Sequence, residues 1–245
     1  MAKYPDAQRK AQEELDDVLG SERLPEHSDI KRLPYIRAVL LESLRWMPAL
    51  PLGVPHRVMV DDEYNGYRIP KGSTIIAVRR FTTRSANTLG LIGALNLMNH
   101  RMPGESITPL RMFRVQLKSG LPTSYMYRAM LHNPEDYPNP GVFNPDRFVR
   151  NGELDPDVRD PSTIAFGFGR RICAGRHLAN DILFLFMASI LYAFNIEPAS
   201  DANGNSVPVE PQPTSGQILY LDNIPCVLKP RSVTAERLIH KSELL

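Results

Sequence analysis

The chain has 245 residues, 29 basic and 27 acidic, for a net charge of +2; 42% of residues are apolar and 23% charged. These values exclude a largely disordered, collagen-like or coiled-coil chain. They also give no bulk charge with which to hold nucleic acid or an anionic membrane. Two cysteines, Cys173 and Cys226, exclude a disulfide-rich secreted scaffold and a four-cysteine zinc site.

In chain order, no secretory signal precedes the first charged amphipathic stretch. Residues Pro5 to Leu19 predict a helix: Pro5 suits its first turn, Ala7, Ala11, Leu15 and Val18 share a face, and Gly20 closes it. A second helix is predicted from Pro34 to Trp46, with Ile36, Val39, Leu40, Leu44 and Met47 as its apolar stripe and Pro48 as its stop. Prolines 48, 51 and 55 then favour extended chain. Arg57 to Ala77 reads as β structure, with Val58 and Val60 alternating and Asn65-Gly66 as a hairpin turn. Pro134 to Pro161 reads as an irregular but ordered loop. A helix is predicted from Arg176 to Tyr192. Its apolar run, Ile182 to Phe194, is too short for a bilayer span of about 20 residues and suits a buried helix. The tail carries strand signals at Gln217 to Leu221 and Cys226 to Leu228, and there are no internal repeats.

One segment departs from its surroundings. Residues 79–126 hold seven basic residues and a single acid, Glu105, while the rest of the chain has 22 basic and 26 acidic residues. No amphipathic period runs through it. It reads either as a basic surface insertion or as foreign sequence within an otherwise coherent domain. Val78-Arg79 and Tyr127-Arg128 are both encodable by splice-border codons, which fits a translated intron.

Candidate chemistry centres on Cys173. Alone, such a cysteine reads as a small buried hydrophobe. Its neighbours add two other readings. Gly167, Gly169 and Gly175 remove side chains on both sides, which allows a flat ligand to approach closely. Arg170, Arg171 and the start of the next helix suit a negative sulfur. Phe166 lies seven residues before it. A thiolate bound to something large and planar accounts for all of these offsets; a redox cysteine accounts for the charges alone.

The pattern Phe166-x-x-Gly169-x-Arg171-x-Cys173-x-Gly175 resembles the haem-binding loop of the cytochrome P450 monooxygenases at every fixed position. Glu42-Ser-Leu-Arg45 resembles the family's Glu-x-x-Arg on helix K, whose spacing places both side chains on one helix face. Phe143-Asn-Pro-Asp-Arg147-Phe148 resembles the segment that precedes the haem loop, and Pro55-His56-Arg57 resembles the segment that reaches a haem propionate. The style of Leu131 to Pro138 and of the cysteine loop is similar to fungal members of secondary or xenobiotic metabolism.

The resemblance implies a mainly α fold with small β-sheets, the C-terminal and incomplete portion of the cytochrome P450 fold. Residues 1–78 would hold the helix J and K region and a β-hairpin. Residues 79–126 would be the insertion. Residues 127–245 would hold the meander, the haem-thiolate loop, helix L and the C-terminal strands. It implies haem (iron protoporphyrin IX) as cofactor and Cys173 as the iron ligand. Phe166, Gly169, Arg171, Gly175, His56 and Arg57 would be cofactor-binding, and Glu42, Arg45 and Arg147 a buried structural network. His177 is assigned to the surface of the following helix or to the neighbourhood of a propionate. The implied reaction inserts one atom of O2 into a small organic substrate, with electrons from an NADPH-dependent reductase and no nucleic acid partner. The implied location is intracellular, usually at the endoplasmic reticulum membrane through an N-terminal anchor that this sequence does not contain. The family's distal helix, with its acid–Thr pair, has no counterpart here; Thr82-Thr83 follows the Glu-x-x-Arg helix and so is not that element. The alternatives are a non-catalytic fragment or gene product without turnover, or a redox-active cysteine protein without haem.

Overall fold

The computed structural model describes residues 1–21, 23–50, 53–64, 66–75, 94–95, 130–210, 212–213, 218–222 and 224–242. The chain is mostly helical with small sheets. Helix α1 spans Pro5–Leu19 and buries Ala7, Ala11, Leu15 and Leu19, one face at intervals of four. Gly20 ends it at a φ of 63°, its N–H donating to the Asp16 carbonyl at 2.9 Å. A 3-10 helix, His27–Arg32, leads into α2, Pro34–Trp46. The free N–H groups at the start of α2 are met from another helix. Glu14 of α1 accepts from Tyr35 N at 2.7 Å and Ile36 N at 3.0 Å. Burial pushes the Glu14 carboxyl above its ordinary pKa against the downward pull of these two N–H groups.

Helix α2 is buried on two sides. Ile36, Val39 and Leu40 enter the main core with Leu15 and Leu19 of α1, whereas Ala38, Glu42 and Arg45 face the segment after residue 130. The main core is completed by α4, Arg176–Ala193, which contributes Phe184, Ala188, Leu191 and Tyr192. A short helix, α3, spans Ser162–Ala165. The strand just beyond α4 is tied to α1 by Gln8, whose side chain donates to the Ile196 carbonyl at 3.3 Å and accepts from the Ile196 N–H at 2.9 Å.

The region after α2 is β structure around a hairpin, as expected, but in short strands. It holds β1 His56–Arg57, β2 Asp62–Tyr64, β3 Tyr67–Ile69 and β4 Thr74–Ile75. Strands β1 and β4 pair antiparallel, and β5, Ala94–Leu95, adds to β4. The expected alternation at Val58 and Val60 is absent. Val58 exchanges backbone bonds with Ser73 and Gly72, where a φ of +89° turns the chain, and Met59 and Val60 are left exposed. The β2–β3 hairpin pairs Tyr64 with Tyr67 around Gly66, as expected, while Asn65 lies outside the described residues.

The loop from 134 to 161 is ordered, as expected, but contains regular elements that were not: a 3-10 turn, Pro145–Phe148, and a hairpin of β6 Val149–Arg150 with β7 Glu153–Leu154. Asn151-Gly152 forms its tip with φ values of 55° and 79°, the left-handed pair that a two-residue turn requires. In the tail, β8 Phe194–Pro198 pairs with β11 Cys226–Pro230, and β9 Gln212–Pro213 with β10 Leu221–Asp222. Gln217 lies outside the described residues. A closing helix, α5 Val233–Ser242, was not expected.

Helix α4 is not buried all round as its apolar run predicts. Leu178, Ile182 and Phe186, four residues apart, are 66%, 55% and 62% exposed. The expectation for residues 79–126 lies outside the described residues except at Ala94–Leu95. No described helix is long and apolar enough to cross a membrane.

One ion pair with a buried carboxylate gives the fold a pH dependence. Asp29 accepts from both Nη atoms of Arg23 at 2.7 Å and from the Glu26 N–H at 2.9 Å. Its hydrogen bonds to Arg23 hold its pKa down at about 2, against a usual 3.8. The stabilisation is complete above the unfolded value and is lost as pH falls from about 4 towards 2. Asp29→Asn should therefore cost about 1–2 kcal/mol at neutral pH, part-exposed Arg23 screening the rest. In urea titrations the difference from wild type should shrink towards zero at the acid end.

Candidate functional site

The structure brings Glu42, Arg45 and Arg147 together. Glu42 and Arg45 lie one helical turn apart on α2 and are fully buried. Arg45 Nε donates to Glu42 Oε2 at 2.6 Å, and Nη2 donates to Oε1 at 2.7 Å. Arg147, from the 3-10 turn, places Nε 3.3 Å from Oε2. That N–H is not aimed at the oxygen, so Nε is buried in an ion pair without a hydrogen bond. Burial lowers the Arg147 pKa from its ordinary value, and Glu42 opposes this.

Neither arginine is satisfied by Glu42 alone. Arg45 donates to the carbonyls of Leu131, Pro140 and Val142 at 3.0, 2.9 and 3.3 Å. Arg147 donates to those of Pro138 and Val142 at 2.7 and 3.2 Å. The Asn144 N–H donates to Glu42 Oε1 at 2.7 Å. The Arg45 guanidinium also lies 5.5 Å from the centre of the buried Tyr137 ring. Two cations sharing one anion require backbone carbonyl partners for each arginine, as observed, but which carbonyls, the Asn144 amide and Tyr137 were not read from the sequence. The signal was available: prolines at 138, 140 and 145 remove donors and leave acceptors in excess beside an arginine. Glu42→Ala would leave two buried cations without a counter-charge. It should destabilise the chain by about 3–5 kcal/mol in chemical denaturation, far more than an exposed Glu13→Ala.

The 3-10 turn and the β6–β7 hairpin lead through α3 into the cysteine loop. Phe166 ends α3, and its carbonyl accepts the Cys173 N–H at 2.8 Å, which pins the loop across its neck. Gly167 and Gly169 have φ values of 83° and 58°, where other residues are strained, and a Cβ at either would meet nothing within 4 Å. Backbone geometry therefore requires these glycines, and the loop surface beside them is open. A Cβ on Gly175 would stand 3.9 Å from Cys173 Sγ, so a longer side chain there would crowd the sulfur. Cys173 is exposed, two residues before Gly175, the residue that precedes α4. An open, glycine-lined loop with an exposed sulfur at a helix N-terminus fits a large planar ligand bound through that sulfur.

The remaining candidates are less closely assembled. Arg170 and Arg171 lie in the single 3-10 turn Gly169–Arg171, and both are exposed. His177 is exposed in the first turn of α4. His56 and Arg57 form the exposed strand β1, and Arg57 Nη2 lies 3.5 Å from the Cβ position of Gly72. Among the described residues no hydrogen bond or ion pair joins His56 or Arg57 to Arg171. Thr82-Thr83 lies outside the described residues.

The cytochrome P450 family model matches residues 1–84 and 115–217. The chain is 36% identical over 245 residues to cytochrome P450 monooxygenase ple1 of Rhodocybe pseudopiperita, covering 100% of this chain and 38% of that protein. It is 37% identical over 239 residues to claR of Ampulloclitocybe clavipes, also a cytochrome P450 monooxygenase, covering 98% and 35%. It is 36% identical over 242 residues to cytochrome P450 monooxygenase 176 of Postia placenta, covering 99% and 37%. The chain thus spans little more than a third of the length of these curated relatives. On the family match and on the cysteine loop, the chain belongs to the cytochrome P450 family and represents part of its fold.

Proposed function

We propose that Cys173 is the thiolate ligand of a haem iron and that the chain is the haem-thiolate portion of a monooxygenase. The observation that carries this reading is the exposed sulfur on an open glycine loop, pinned at its neck by the Phe166 carbonyl. A thiolate-ligated haem supplies the activation of O2, from which one atom enters an organic substrate and the other leaves as water. The chain's own residues hold and orient. The Phe166 carbonyl fixes the direction of Cys173, Gly169 supplies a left-handed turn in the loop, and Gly175 keeps the sulfur's surroundings clear. Arg171, Arg57 and His56 would neutralise the two propionates by charge-assisted hydrogen bonds. Glu42, Arg45 and Arg147 hold the segment that leads into the loop. Electrons would come from an NADPH-dependent reductase, the substrate would be a small organic molecule, and the location intracellular. Residues 79–126 would be an insertion outside the core, a reading supported by the gap in the family match between residues 84 and 115.

The test is a haem titration of the 245-residue chain, followed by the spectrum of its reduced carbon monoxide complex. A strongly red-shifted Soret band that is lost in Cys173→Ser is expected. An imidazole-type spectrum, or no binding, would refute the ligand assignment. These residues by themselves should bind haem weakly and give no turnover, since substrate positioning and proton delivery are assigned to the part of the family that they do not span.

A further inference from the structure

Three aromatic rings meet at the edge of the buried ionic network. The Tyr4 and Phe143 rings lie 4.9 Å apart, Trp46 and Phe143 5.8 Å apart and nearly perpendicular, and Tyr4 and Trp46 6.0 Å apart edge-on. Each comes from a different part of the chain: Tyr4 immediately precedes α1, Trp46 ends α2, and Phe143 belongs to the proline-rich segment. Two are sequence neighbours of the network. Trp46 follows Arg45, and its Nε1 donates to the Gly141 carbonyl at 3.2 Å. Phe143 stands between Val142, whose carbonyl serves both arginines, and Asn144, whose N–H serves Glu42. Burial pushes the Tyr4 phenol above its ordinary pKa; the Phe143 backbone pulls it down, and the charge of Glu42 pushes it up.

We propose that Tyr4, Trp46 and Phe143 form a latch that positions residues 141–144 on the Glu42–Arg45–Arg147 network and keeps water from its open edge. Fixing the Phe143 ring fixes the two peptide groups beside it, and these carry three of the network's hydrogen bonds. The latch stands on packing and does not depend on haem binding. Tyr4 and Phe143 are positioning residues, and Trp46, the chain's single tryptophan, reports on them by its own fluorescence.

The experiment compares wild type, Phe143→Ala and Phe143→Tyr in the full chain. Tryptophan emission is recorded together with amide hydrogen exchange at Asn144 and at Leu191 in α4. With the latch removed, Asn144 exchange should quicken at least tenfold and Trp46 emission should shift to the red. Leu191 should keep wild-type protection, and Phe143→Tyr should restore both signals. Unchanged Asn144 exchange would overturn the proposal. So would an equal loss of protection at Asn144 and Leu191, because that describes an ordinary core contact. If Phe143→Ala does not fold, Tyr4→Leu is judged by the same two amides.

Discussion

A single carboxylate, that of Glu42, organises this part of the molecule. It is removed from water, and an isolated buried anion would be prohibitively costly. Both oxygens are therefore committed: Oε1 to Arg45 Nη2 and the Asn144 N–H, Oε2 to Arg45 Nε and the nearby Arg147 charge. Two cations for one anion leave an excess of buried positive charge, and the carbonyls of five backbone contacts answer it. A buried ion pair is weak evidence for net stability, because desolvation consumes most of the attraction. Its contribution here is register. A planar guanidinium donates only in its own plane, along five fixed N–H directions, so α2 and the proline-rich segment fit together in one arrangement.

That arrangement determines where the cysteine loop begins. Arg147 sits in the turn that opens into the β6–β7 hairpin, and the hairpin is followed by α3 and the loop. The loop is pinned at its neck by the backbone bond from the Cys173 N–H to the Phe166 carbonyl and shaped by left-handed glycines. Helix α4 begins just beyond it and is apolar on two faces, one packed on α1 and α2 and the other exposed at Leu178, Ile182 and Phe186. A helix apolar on both faces is of the kind found inside a larger body, and the relatives of this chain are more than twice its length.

The three longest helices were legible because each carries its own signals: proline in the first turn of α1 and α2, apolar residues three or four apart, and a stop at Gly20 or Pro48. The cysteine loop was legible because its glycines, arginine and phenylalanine lie within ten residues of one another. The β2–β3 hairpin and β11 were legible from a turn signal and an apolar stretch; most other strands were not, because they have two or three residues, too few to establish a period of two. The β6–β7 hairpin was hidden by reading Pro134 to Pro161 as one composition, although Asn151-Gly152 is a local turn signal of the kind recognised at Asn65-Gly66. Strand β8 was hidden by the apolar run of α4, which continues into Phe194 without a polar break. The prolines at 138, 140 and 145 mark an excess of acceptors, but the individual carbonyl partners of Arg45 were not legible, because backbone acceptors carry no residue-type signature.

The division between exposed and buried residues follows from the work each group does. On the proposed reading Cys173, Arg171, His56 and Arg57 would meet a ligand, and all four are exposed. A residue that holds geometry must have no alternative partner, so Glu42 and Arg45 are wholly buried and Arg147 nearly so. The two groups are linked by the backbone from Asn144 and Arg147 along the hairpin to Phe166, and by Leu131, whose carbonyl takes Arg45, packing on Ile164 of α3. Disturbing the network therefore shifts the loop as a body and leaves its local shape to the glycines, whereas replacing Gly167 or Gly169 would strain the loop's own backbone and leave Glu42 and its partners intact.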